Sequence, residues 1–175
     1  MHCENPIRKY VVTLGLLLSV TDPAVAERLA DFHSDGCSLF PDGTPIQQNL
    51  WCECCVAHDI AYWQGGTRKQ KQQADQTLRL CVADKTGNEI LAETMYYGVA
   101  LGGSPVFPTW YRWCYGWHYG RGFRKLNRYE KQQVTENLQH YRLLTPQSSC
   151  SIEHPLEPII KRAIRQWLPL NNVTK

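Results

Sequence analysis

From about residue 50 onward the apolar positions of this chain recur at helical spacing, and no stretch alternates apolar and polar residues strongly enough to mark a strand. Residues 50 to 64 read as a first helix, ended by Gly65 and Gly66. Thr67 suits the start of a second, because its hydroxyl can accept a free amide there. That helix carries Ala74, Leu78, Cys81 and Val82 at helical intervals and is predicted to end near Val82. A third is predicted from about Asn88 to Leu101, stopped by Gly102, Gly103 and Pro105. Val134, Leu138 and Tyr141 support a fourth over about 129 to 143, and PLEPIIKRAIRQWL, residues 155 to 168, reads as a last, basic one. The stretch PTWYRWCYGWHYGRGF, residues 108 to 123, is dense in rings and glycines and receives no regular structure. Its rings suit either a membrane boundary or the packing of an irregular segment. The expected fold class is mainly α.

At 175 residues the chain suits one domain. Residues 1 to 26 read as a secretory signal: Arg8 and Lys9, then the ten-residue apolar run VVTLGLLLSV, then Ala24-Val25-Ala26 with a small-x-small pattern. Ten residues are too few to span the ~30 Å apolar core of a bilayer. The expected mature domain is 27 to 175, with a core over 35 to 82 and an aromatic and helical extension over 83 to 175. Removal of the signal takes Arg8 and Lys9 with Glu4 and Asp22, so the net charge of +3 is unchanged. That charge is too small and too dispersed for a nucleic-acid partner, whereas a weakly anionic lipid surface remains open. Export to a secreted or periplasmic setting implies disulfides. Cys3 leaves with the signal, and seven cysteines remain, so at least one is left over.

Three of those cysteines lie in WCECCVAHDIAYWQGG, residues 51 to 66. A helix turns by about 100° per residue, so Cys54 and Cys55 point different ways and need different partners. His58 and Asp59 diverge for the same reason. Folding the second helix back through Gly65, Gly66 and Thr67 brings Cys54 to Cys81, His58 to Asp75 and Ala61 to Ala74 in one register. A bridge at the far ends would contribute ~3 kcal/mol by constraining the unfolded chain. A carboxylate beside an imidazole fixes its tautomer and prepares the other ring nitrogen to take a proton. Asp59, on the neighbouring face, and Asp35 offer hard oxygens that suit calcium, and a Cys37 to Cys55 bridge would clamp loop to helix and bring the two together.

CCVAHDIAY resembles the C-C-x-x-H-D-x-C-Y signature of the secreted phospholipase A2 superfamily, and Asp75 with Cys81 resembles that family's D-x-x-x-x-x-C on the partner helix. The likeness covers residues 35 to 82. Two departures accompany it. Ala61 and Ala74 stand where the family often has a bridged cysteine pair, and the glycine-rich calcium loop of the animal enzymes is absent. DGCSLFPD instead is similar to the loop of the bacterial and fungal branch. The resemblance implies calcium-dependent hydrolysis of the sn-2 ester of glycerophospholipids at a membrane or micelle surface. It assigns His58 as base, Asp75 as its orienting acid and Tyr62 as a support for Asp75. It assigns Asp35, the Gly36 carbonyl and Asp59 as ligands of Ca²⁺.

Plainer readings stand beside these. A lone His58 would be a structural histidine, and it is Asp59 beside it and Asp75 in register that turn the reading toward catalysis. Cys52, Cys54, Cys55 and His58 match zinc in number, giving a structural zinc protein as one alternative. Against it, two of the cysteines diverge and a second compact ligand pair is missing. A non-catalytic lipid- or protein-binding module of the same fold would keep every motif. Asp42 suits a turn better than a ligand role. Cys52, Cys114 and Cys150 are left without an assigned pairing. The apolar face of the last helix, from Ile159 to Leu168, suits packing on its own domain or lying on anionic lipid.

Overall fold

The computed structural model describes residues 27–145 and Cys150. Four helices, α1 (Cys52–Gln64), α2 (Arg68–Thr86), α3 (Glu89–Gly102) and α4 (Arg128–Leu144), make up its regular structure, and no strand occurs among the described residues. The predicted signal and the predicted last helix, 155 to 168, lie outside the described residues.

Helix α1 is central: nine of its thirteen residues are buried. A helix apolar nearly all round must be covered on every side. It starts two residues later than the apolar pattern suggested, because residues 49 to 51 are held in a turn, where the amide of Trp51 bonds the Asp42 carbonyl at 3.0 Å. After the turn at residues 65 to 67, α2 opens with a capping box. The Thr67 hydroxyl accepts the Gln70 amide at 3.3 Å, and the Gln70 side chain accepts the Thr67 amide at 2.8 Å. Such a cap contributes ~1 kcal/mol. Helix α2 runs four residues past Val82, to a left-handed Gly87. Three of those last four residues, Asp84, Lys85 and Thr86, are polar, so hydrophobic spacing could not report them.

The turn at one end and the Cys54–Cys81 bridge at the other make α1 and α2 antiparallel. Ala61 and Ala74 are both buried in one cluster. Cys37–Cys55 ties the preceding loop to α1, and Cys52–Cys150 ties α1 to the chain beyond α4, with Cα separations of 4.9 and 5.6 Å. All six sulfurs are thereby consumed, and among the described residues Cys114 is unbridged and buried. Bridged sulfurs offer no thiolate, which removes the zinc ligand set of Cys52, Cys54 and Cys55. Asp42 has a ligand atom within 4.8 Å of the Cys52 and Cys150 sulfurs, and the same bridge disposes of that cluster.

Two apolar clusters flank α1. One joins Cys54, Cys55, Leu78, Val82, Ala92 and Met95 and seats α3 against the helix pair. The other collects Leu29, Phe32, Trp63, Trp113, Trp117, Val134 and Leu138. The aromatic segment therefore splits: Trp113 and Trp117 are core, while Trp110 and Tyr119 are exposed. Its backbone has a definite task. The last carbonyls of a helix lack partners, and those of Tyr62, Trp63 and Gln64 accept the Cys114 amide, the Gly116 amide and the Trp117 indole at 2.7, 3.1 and 2.8 Å. Gly116 is needed there, since a Cβ would lie 2.5 Å from the Trp63 ring. The Arg121 side chain is buried between Glu27 and Glu130 and stacks on Trp117, which fastens the first described residue to α4. No described helix is long and apolar enough to cross a membrane.

Candidate active site

The turn and the disulfide set the register of α1 on α2, and that register places His58 against Asp75. Nε2 of His58 lies 3.1 Å from Oδ1 of Asp75. A carboxylate can only accept, so Nε2 carries the hydrogen and Nδ1 the lone pair. Nδ1 has no hydrogen-bond partner among the described residues, and His58 lines a cavity. Tyr62, one turn on, donates its hydroxyl to the same Oδ1 at 2.6 Å. Lys71, one turn before Asp75, donates to Oδ2 at 2.8 Å.

Burial alone would push the Asp75 pKa up. The bonds from His58, Lys71 and Tyr62 outweigh it and hold the carboxyl below its ordinary value, hence ionised. For His58 burial is the largest influence and lowers its pKa, against the raising effect of Asp75, so the ring is neutral at neutral pH. Tyr62 is pushed up by burial and by the neighbouring carboxylate and stays protonated. The arrangement is a neutral imidazole, anchored through one nitrogen by an ionised acid, with the other nitrogen available to a proton.

The loop before α1 approaches Asp59. Ser34 donates its hydroxyl to Oδ2 of Asp59 at 2.6 Å and accepts the Gly36 amide at 3.2 Å. The Asp42 carboxylate accepts the Cys37 amide at 2.6 Å, and the Gly36 backbone (φ 87°) passes so close that a Cβ would overlap the Asp42 carboxylate. Asp42 thus shapes the loop, as a turn former should. Asp35 accepts the Ser38 hydroxyl at 2.8 Å. Asp59 is raised to about 8, first by burial and then by the Asp35 and Asp42 charges, with the Ser34 bond opposing. Asp35, Asp59 and the carbonyl of Gly36 are hard oxygen donors in a locality with surplus negative charge, which fits a divalent cation bound by oxygen.

His58 and Asp59 open on a cavity of about 310 Å³ walled by Leu39, Phe40, Leu78, Met95, Val99 and Tyr111. Gly98, Gly102 and Gly103 leave α3 bare on this side. Leu39, in left-handed backbone at φ 63°, stands 79% exposed at the rim. The cavity is an apolar slot ending on two ionisable groups, the usual make-up of a small-ligand site.

All six residues predicted for the site fall in one neighbourhood. His58, Asp75 and Tyr62 are joined by hydrogen bonds, Gly36 and Asp59 both bond Ser34, and Asp35 accepts the Ser38 hydroxyl and acts on Asp59 through its charge. Two participants were missed. Lys71 stands four residues before Asp75 on one helix face, a spacing the sequence shows without showing that the pair is buried. Ser34 carried no signal beyond its place next to Asp35. Comparison with models of known families, with curated proteins and with solved structures finds no match.

Proposed function

We propose that this chain is a calcium-dependent hydrolase of the sn-2 ester of glycerophospholipids, working in a secreted or periplasmic setting on a membrane or micelle. The observation that carries the reading is that His58 lines an apolar cavity with its Nδ1 free while its Nε2 is held by an ionised Asp75. His58 takes a proton from water as it attacks the ester carbonyl, and Asp75 stabilises the imidazolium so formed. The same ring returns that proton to the departing glycerol oxygen, which leaves the ring neutral again. Asp35, the Gly36 carbonyl and Asp59 would hold calcium. When bound, it supplies positive charge to the phosphate and to the developing oxyanion. The apolar wall receives the acyl chain and keeps bulk water from the carbonyl.

The test is fatty-acid release from mixed phospholipid vesicles, with calcium and with chelator. Release that needs calcium, and that falls by about 10²- to 10⁴-fold in His58→Gln at unchanged melting temperature, is the expected result. No release from correctly oxidised protein on several lipid compositions would favour the non-catalytic binding module.

A further inference from the structure

We infer that Lys71 is a positioning residue for the proposed reaction: it bolts the Asp75 carboxylate to the end of α3, and so couples the His58 orienting acid to the wall of the cavity. The inference rests on the catalytic reading of His58 and Asp75. Lysine is almost never buried unless paired, yet Lys71 is 7% exposed. An ammonium has three hydrogens to place and no bulk water here to take them. They meet Oδ2 of Asp75 at 2.8 Å and the carbonyls of Val99 and Ala100 at 3.4 Å each. Those carbonyls belong to the last turn of α3, where the helix dipole favours a cation.

Lys71 thereby fixes the plane of the carboxylate. Oδ1 already receives both His58 and Tyr62, while Lys71 is the side chain that holds Oδ2. With Oδ2 anchored, the carboxylate cannot rotate without giving up a charged hydrogen bond, and Oδ1 stays aimed at Nε2. The other end of the bolt is α3, which contributes Thr94, Met95, Gly98 and Val99 to the cavity. A substrate chain pressing on that wall acts on the same ammonium that aims the acid. In the proposed reaction this couples filling of the slot to alignment of the base.

The test compares the whole oxidised protein with Lys71→Met, Lys71→Gln and Lys71→Arg, by calcium-dependent fatty-acid release, by melting temperature, and by the ¹⁵N shifts of the His58 ring at a pH where it is neutral. Misplacement by about 1 Å can cost about 10²-fold in rate. Lys71→Met is expected to lose about that much kcat with little change in KM, and its ring shifts should move from the Nε2–H pattern toward a tautomer mixture. Lys71→Arg, which can still donate to the carboxylate and the carbonyls, should recover most of both. Lys71→Gln carries the comparison with arginine should methionine not fold. Wild-type kcat and wild-type ring shifts in Lys71→Met, or in Lys71→Gln in its place, would overturn the inference. So would an arginine variant as slow as the neutral one, since that would mark a role in packing alone. If the wild type releases no fatty acid the hydrolase reading fails, and the ring shifts still decide what Lys71 does.

Discussion

Two carboxylates flank His58, and the protein treats them in opposite ways. Both are pushed upward by burial. Asp75 meets three donors, from His58, Tyr62 and Lys71, and ends below the ordinary carboxylate range. Asp59 meets one hydroxyl and two like charges and ends at about 8. The first carboxylate is completed by the chain itself. The second is left among surplus negative charge that a cation would cancel. Their linkage to stability is also opposite in sign. Asp75 stabilises the folded chain above the ordinary carboxylate range and loses this as pH falls. Asp59 favours the folded chain at low pH and loses this as pH rises toward about 8.

The largest expected effect comes from breaking the completed side. Asp75→Ala leaves Lys71 as a buried charge with only carbonyls to face, and strips partners from His58 and Tyr62. Removing one member of a buried pair costs about 3 to 5 kcal/mol. Chemical denaturation of the oxidised protein should show a loss of that size, together with loss of turnover. A change below about 1 kcal/mol, the worth of an ordinary hydrogen bond, would show that the pair is not the closed unit described.

The incomplete side is broken by titration. At the proposed cation site calcium would have to displace the Asp59 proton, so its affinity should rise by about tenfold per pH unit below about 8 and level off above. Asp59→Asn should weaken calcium binding, remove that pH dependence and lower activity with it. Calorimetry at several pH values measures this directly. Wild-type affinity that is flat with pH would detach Asp59 from the cation site.

How much of this was legible in the sequence differs between the two helices and the rest. The pairing of α1 with α2 could be read because a short glycine turn, a cysteine pair and a His–Asp pair all select one register. Thr67 announced its helix start by local chemistry, and the structure bears it out. The aromatic segment could not be read, because its geometry answers the unpaired carbonyls of Tyr62, Trp63 and Gln64 and not any period of its own. Cys52–Cys150 spans 98 residues of sequence, a separation over which spacing says nothing about pairing. Lys71 stands in RKQKQQADQ, which reads as a solvated helix face. Only the end of α3, arriving from elsewhere in the chain, turns that face into an interior.

The smallest effect sharpens the comparison most finely. Tyr62→Phe removes one of the three donors to Asp75 while leaving the ring against His58 and Trp113, at centroid distances of 4.1 and 5.1 Å. A hydrogen bond to a charged group contributes about 1.5 to 3 kcal/mol, and the remaining two donors keep Asp75 ionised, so the loss should fall at or below that range. Turnover should drop by less than in the Lys71 variants, because Oδ1 still receives Nε2 while Oδ2 keeps its anchor. A tyrosine variant slower than Lys71→Met would reverse that order, and would place the orientation of the acid in the phenol and not in the ammonium.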